Sequence, residues 1–373
     1  MKLLFWIAAF LIVYTYAGYV GWLWLRARFS PWPVLRSEGE PSVSIVMIVR
    51  NEEPSIESKL RNLLELDYPS DRCEIVVVSD GSTDGTDGIL RQHADNPRVR
   101  VLMSQLSRGK AAGLNDAIPL AAGEVVVFTD ARQKIGTNAI RLLIENFADP
   151  EVGCVSGALM LGDPGSGEPG KGMGLYWRIE KKIRALESES GSVVGATGAL
   201  YAVRRELVTD LPEGTILDDV YIPMQVVKQG KRVVFDGRAL AWDNPDLGAG
   251  REFSRKVRTL GGNYQLLQVA PWLLTGKNPI RFRFVSHKLL RLAVPFALGA
   301  MLLSSIFLAG VVYRAILILQ LSFYALSVLA ALNLNRGPLT AVADAALTFV
   351  TLNIAAAVAF ANFITGRKAA WVR

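Results

Sequence analysis

The stretch LLFWIAAFLIVYTYAGYVGWLWL, residues 3 to 25, holds no charged side chain between Lys2 and Arg26. A helix of that length, rising about 1.5 Å per residue, spans a hydrocarbon layer about 30 Å thick. Trp6, Tyr14, Tyr16, Tyr19, Trp22 and Trp24 suit the aromatic belts of such a segment. A cleaved signal peptide is the rival reading, but its apolar part would be unusually long, and no small-x-small cleavage site precedes the charges. Three further apolar segments occupy residues 292–311, 315–332 and 339–364, separated by Tyr313-Arg314 and by Asn333 to Pro338. These ends explain why 51% of the 373 residues are hydrophobic, too many for an ordinary soluble domain.

Arg26, Arg28 and Arg36, then Lys277, Arg281, Arg283, Lys288 and Arg291, flank the apolar segments. The positive-inside rule puts them in the cytoplasm with the middle domain, in a multi-pass protein of the inner (plasma) membrane. Counting spans then sends the tail GRKAAWVR outside, against the same rule, which leaves an interfacial or re-entrant course open for the last segment. Most of the net charge of +7 lies at these flanks, so it argues for anionic lipid and not for nucleic acid. Two histidines, His93 and His287, cannot build a zinc site, and Cys73 and Cys154 sit beside apolar runs as reduced core residues would.

Between Pro41 and about Asn244 the pattern changes to strands alternating with amphipathic helices. VSIVMIV (43–49) is a continuous apolar run, the mark of a parallel strand covered on both faces. Pro54 opens a helix with Ile56, Leu60, Leu63 and Leu64 on one face. EIVVVSD (74–80), VRVL (99–102) and EVVVFTD (124–130) read as three more strands. This is the doubly wound α/β signature, a mostly parallel sheet whose ligands gather at the carboxyl ends of its strands. Asp80 and Asp130 stand at two such ends, and GSTDGTDG (81–88) follows the first with amides able to face a phosphate or base. An Asx turn explains either acid alone; both together point to a site.

Downstream, GDPGSGEPGKG (162–172) reads as a loop and LYWRIEKKIRALESE as a helix. SVVGATGALYAVRRE reads as a glycine-bearing strand whose backbone something approaches closely. Asp218 and Asp219 precede a helix, where N-capping is the plain alternative to catalysis. REFSRKVRTLGGNYQLLQ (251–268) is amphipathic, with Phe253, Val257, Leu260, Tyr264 and Leu267 in one stripe and Arg251, Arg255, Lys256 and Arg258 clustered at its start. Beside a membrane span, such a helix commonly lies in the interface.

Several ordered motifs in Pro41 to about Tyr264 resemble those of the membrane-anchored, inverting family-2 glycosyltransferases that include cellulose, chitin and hyaluronan synthases. IVMIVRNEE is similar to the first strand and its nucleotide-contacting end, which implies Arg50 and Glu52 as neighbours of the base or ribose. SDGSTDGT resembles the motif whose acid, here Asp80, meets uracil and ribose, and SRGKAAGLN the segment that brings a lysine, here Lys110, to the nucleotide. TDAR resembles the D-x-D motif: Asp130 fits its first acid, and Arg132 stands in place of the second. GATGAL, with Thr197 and Gly198, resembles the acceptor-side segment. LDD aligns with Thr-Glu-Asp, implying Asp219 as the catalytic base and Asp218 as its acidic neighbour. SRKVRT falls where Gln-Gln-Arg-x-Arg-Trp belongs; Arg258 is retained, the glutamines are missing, and Thr259 replaces the Trp that stacks the acceptor sugar.

The resemblance implies a GT-A-like fold with boundaries near 1–28 for an N-terminal anchor, 41–245 for the catalytic domain, 246–288 for amphipathic interface helices and 289–366 for about three membrane helices. It also implies a nucleotide-diphosphate sugar, by family default UDP-linked, and a membrane-associated lipid or saccharide acceptor, with polysaccharide-assembly partners within reach. Arg132 cannot ligate a metal, being always protonated. At i+2 it projects on the same side as Asp130, where it could hold that carboxylate or clamp a phosphate bidentately. The preferred expectation is Mg²⁺ or Mn²⁺ held by Asp130 and the diphosphate, with Arg132 in support; a metal-free site is the alternative. Processive polymerisation and a non-catalytic nucleotide-binding subunit are the rival functions. A nucleotidyltransferase would need a glycine-rich loop after the first strand, where Arg50-Asn51-Glu52-Glu53 stands instead.

Overall fold

The computed structural model describes residues 1–162, 175–243, 249–332, 334 and 340–367. The expected loop at 163–172, most of the 333–338 connection and the tail from 368 lie outside them.

In chain order the principal elements are α1 (Lys2–Phe29), β1 (Val43–Val49), α2 (Glu53–Leu64), β2 (Cys73–Asp80), α3 (Thr86–His93), β3 (Val99–Ser104), α4 (Lys110–Ala117), β4 (Val125–Phe128), β5 (Lys134–Ile135), α5 (Ala139–Glu145), β6 (Val152–Leu161), α6 (Leu175–Glu189), β7 (Tyr201–Arg204), α7 (Asp218–Lys228), β8 (Arg232–Asp243), α8 (Ala249–Val269), α9 (Arg281–Phe307), α10 (Val311–Ala331) and α11 (Thr340–Ile364).

The strands form one sheet in the order β3-β2-β1-β4-β7-β6-β8-β5. β1 pairs in parallel with β2 and β4, and all seven of its residues are buried, as its unbroken apolar run requires. Alternate residues serve two cores. Val46, Ile48, Val76, Val78, Val126 and Phe128 pack with Ala111 and Leu114 of α4 and with Val220 and Met224 of α7. Ile45, Met47, Ile75, Val77 and Val127 pack on the other face with Ile56, Leu60 and Leu63 of α2 and Leu143 of α5. Chain order reverses between β1 and β4, so the carboxyl ends of these two strands frame the crevice where doubly wound folds bind ligands.

β7 runs antiparallel to β4 with Phe128 opposite Tyr201, which brings the residues before Tyr201 to the carboxyl end of β4. The strand expected across 192–206 is confined to Tyr201–Arg204. Residues 192–200 instead form an irregular wall without a continuous ladder: Val193 N donates to Val233 O of β8 at 2.8 Å, Ala196 N to Asp219 O at 2.6 Å and Thr197 N to Ser156 Oγ at 3.0 Å. Gly195 turns this wall at φ +86, and a Cβ there would meet Val220 Cγ2 at 3.0 Å, so the expected close approach is real although the strand is not.

Among the described residues four helices, α1, α9, α10 and α11, are long and apolar enough to cross a membrane. The apolar stripe of α8 packs against α11: Val257 is buried with Ala355 and Ala359, and Phe253, Leu260 and Tyr264 close around them. Cys73 and Cys154 are free and buried, as expected.

Candidate functional site

Three connections converge on the carboxyl end of β4. Asp130 lies just past the strand, Gly198 arrives from the wall before β7, and Asp218 and Asp219 form the first turn of α7. A Cβ built on Gly198 would stand 3.4 Å from Asp219 Oδ2 and 3.7 Å from Asp130 Oδ2, so this glycine leaves open the space between two carboxylates from distant parts of the chain.

Lys110 opens α4 and reaches into the same group. Its ammonium donates to Asp130 Oδ1 at 2.8 Å and lies 3.1 Å from Asp218 Oδ2, an ion-pair contact that lacks hydrogen-bond alignment. Burial disfavours that ammonium, but Asp130 and Asp218 outweigh it and hold its pKa above the ordinary range. Asp219 has its carboxyl pushed up to about 6, first by burial and then by the negative charge of Asp218. A carboxylate of that pKa is still largely ionised at neutral pH and is a stronger base than an exposed aspartate. The buried hydroxyl of Tyr201, close enough for Asp218 and Asp219 to raise its pKa further, has no hydrogen-bond partner among the described residues.

Asp80 does not join this group. It is 1% exposed, and both its oxygens are engaged by the loop before α4: Ser107 Oγ and Gly109 N donate to Oδ2 at 2.8 and 2.9 Å, and Arg108 N donates to Oδ1 at 2.7 Å. The direct contacts join Asp130 with Asp218 and Asp219, and Asp80 is linked to them through the loop that ends at Lys110. Asp80 instead anchors Gly109, the left-handed residue (φ +92) from which Lys110 enters the site.

Arg132 also differs from expectation. It forks onto Asp243 at the end of β8, with Nε at 3.0 Å and Nη2 at 2.7 Å, and makes no bridge to Asp130. Arg255 of α8 stands 3.7 Å from the same buried carboxylate. The expected support of Asp130 by Arg132 is thus replaced by a clamp between the loop after β4 and the end of β8. That loop is held at two more points: Lys59 Nζ donates to Thr129 Oγ1 at 2.8 Å and to the Gln133 carbonyl at 2.6 Å, and Asn62 bonds both main-chain groups of Ile135. Burial lowers the Lys59 pKa to about 7.

Lys59 and Asp243 escaped the sequence reading. The one signal for Lys59 was a lysine one place from Leu60 on the apolar face of α2, where a charge is out of pattern.

Arg50 follows β1 with its Nε buried and without a hydrogen-bond partner among the described residues. Glu52 Oε2 accepts from Ser55 Oγ at 2.7 Å, and Glu52 N donates to Thr86 Oγ1 at 2.9 Å. Thr197 is buried beside Gly198. Arg258 lies on α8 and has no ion pair among the described residues, whereas its neighbour Arg255 faces Asp243.

Among the described residues no group of three or more His, Cys, Asp or Glu could hold a metal ion. Asp130 nevertheless suits a cation that takes most of its ligands from elsewhere: its side chain is 40% exposed, and Oδ2 lies 3.7 Å from where a Cβ on Gly198 would stand.

Comparison with known proteins agrees with this architecture. Residues 44–211 match the family described as Glycosyl transferase family 2. A poly-beta-1,6-N-acetyl-D-glucosamine synthase of Staphylococcus epidermidis is 25% identical over 266 residues, covering 69% of this chain and 64% of that protein. The enzyme of the same name from Staphylococcus aureus strain COL is 25% identical over 252 residues, 65% of this chain and 60% of its own length. The alignments thus span less than two thirds of these relatives. A mannosyltransferase from Pyrobaculum calidifontis, solved with GDP-mannose and Mn²⁺, superposes with a TM-score of 0.73 at 24% identity, over 98% of this chain and 100% of that one, and so shares the fold.

Proposed function

Because the chain carries a family 2 glycosyl transferase domain at residues 44–211, we propose that it is an inverting glycosyltransferase that moves a sugar from a nucleotide-diphosphate donor to a membrane-associated lipid or saccharide. The observation that carries this reading is the meeting of Asp130, Asp219 and Lys110 around Gly198 at the carboxyl edge of the sheet. In this reading the anomeric carbon lies in the space beside Gly198. Asp219 accepts the proton of an acceptor hydroxyl, whose oxygen forms the new bond to that carbon from the face opposite the leaving group. The bond from carbon to diphosphate breaks, and its electron pair departs on the nucleoside diphosphate. A placed general base contributes about 10²- to 10⁴-fold.

Lys110 takes the electrostatic part first considered for Arg132: it is the cation set between the acids, and a diphosphate bound there gains its charge. Arg50, whose buried Nε has no hydrogen-bond partner among the described residues, and Glu52 flank the expected path of the nucleotide, and Arg258, without an ion pair among the described residues, supplies a further cation on α8. Asp130 would hold a divalent ion through one carboxylate oxygen. Such an ion, when bound, neutralises and orients the two phosphates. Chelation with EDTA is therefore expected to abolish transfer, with Mn²⁺ or Mg²⁺ restoring it; full transfer in EDTA contradicts a metal at Asp130.

The positive-inside rule favours a cytoplasmic catalytic domain at the inner membrane, with the basic flanks of α1 and α9 on that side. Donor and acceptor are tested together: the full chain in nanodiscs is offered a panel of labelled nucleotide sugars with a lipid extract. The reading expects one donor to give nucleoside diphosphate and a labelled lipid or saccharide in equal amounts. Absence of turnover with every donor overturns it. A second reading, processive synthesis of a polysaccharide, is favoured by the activity named for the staphylococcal relatives. Chains of many sugars on one acceptor would select it, and single-sugar products would exclude it.

A further inference from the structure

α6 lies against the first membrane helix. Its Ile183 and Leu186 are buried with Tyr19 and Leu23 of α1. Leu23 is six residues before the end of α1 at Phe29, about 9 Å along the helix axis. α6 therefore rides at the level where α1 leaves the apolar layer, which is head-group depth. Another face of α6 turns Arg178, Lys181 and Lys182 into a cavity of about 680 Å³. Trp32, three residues beyond α1, and the bend of β8 at Phe235–Arg238 complete its walls.

The charge of this cavity is unbalanced. Arg36 and Arg238 also line it, but Arg238 is paired with Glu145 and Asp236, each at 2.7 Å, and Arg36 lies 3.8 Å from Asp236, which leaves the three cations of α6 facing Glu189. Asp236 is 1% exposed and already accepts from Arg238 and Asn146. Arg178, Lys181 and Lys182 make no ion pair with any described residue. The indole of Trp32, held under the Arg232 guanidinium at 4.2 Å, gives the cavity one apolar aromatic wall of the kind found at the head-group boundary. Lys110, Asp130 and Asp219 do not line it, so it is separate from the transfer site.

We propose that this cavity binds the phosphate head group of an anionic membrane lipid, which docks α6 to the bilayer. The proposal rests on the four apolar helices crossing a membrane and not on the chemistry assigned to Asp219. Basic clefts at the membrane surface recognise anionic head groups through this combination of point charges and depth.

The test is native mass spectrometry of the full chain, released from detergent with equal amounts of phosphatidylglycerol and phosphatidylcholine. Wild type is expected to retain phosphatidylglycerol in several-fold excess. Arg178→Gln with Lys181→Gln and Lys182→Gln is expected to lower that retention about tenfold and leave phosphatidylcholine unchanged. Arg61→Gln with Arg91→Gln, remote and exposed, serves as the comparison, removing two cations against the three of the cavity variant. Unchanged retention in the triple variant, or an equal loss in the remote double variant, overturns the proposal. Displacement of the lipid by glycerol phosphate at the same concentration overturns it too, since the ligand would then be a soluble anion. Donor turnover measured on the same proteins is expected to be unaffected in all of them, which keeps this result distinguishable from failure of the transferase reading.

Discussion

Asp219 and Asp218 are neighbours with different parts. The charge of Asp218 and burial raise the Asp219 carboxyl to about 6, while Lys110 draws Asp218 into an ion pair. A base must be ionised to accept a proton, so transfer is expected to fall as pH drops through about 6 and to level off above 7. Asp218→Asn removes the charge that raises the Asp219 pKa, and the acid limb of the profile should move to lower pH. A limb that stays in place, or moves up, contradicts the coupling. The motif residues Asp130, Asp218 and Asp219 were legible in the chain because each stands at the end of an apolar strand or the start of a helix. The caging of Asp80 was not. A carboxylate at a strand end looks the same whether it faces a ligand or three donors of a loop 27 to 29 residues further on.

At the scale of elements, the loop after β4 is fixed from three directions, by Lys59, by Asn62 and by the Arg132–Asp243 fork. Arg132 thus replaces a second acid with a structural clamp. Among the described residues, Arg132→Leu leaves Asp243, 1% exposed, with the 3.7 Å contact to Arg255 and a long bond from Gln133. The Arg132 side chain is 33% exposed, so losing it from this part-buried pair costs about 1–3 kcal/mol. Thermal unfolding should show that loss, and Arg132→Leu with Asp243→Leu should recover most of it. Equal melting temperatures for wild type and Arg132→Leu would remove the clamp from the account. Local pattern revealed β1, whose VSIVMIV run has no other stable home, and the stripe of α8. It misread 192–200, where hydrogen bonds to Asp219 and Ser156 decide against a strand. It also gave no sign of the Arg132 fork, since 111 residues separate the partners.

Across the whole molecule, one sheet edge gathers the site while α6 and α8 tie the domain to helices long enough to cross a membrane. The apolar segments and their number were plain from length and hydropathy, with Asp344 the one charge inside α11. How α8 meets them was not: its stripe suits a lipid surface as well as the Ala355 and Ala359 face that it covers. The central claim is that the group around Gly198 performs the transfer, with Asp219 as base. It is tested most directly by Asp219→Asn in the full chain, measuring donor affinity by calorimetry beside release of nucleoside diphosphate. Donor affinity should stay near that of wild type while turnover falls about 10²-fold or more. Turnover close to wild type in this variant would contradict the claim.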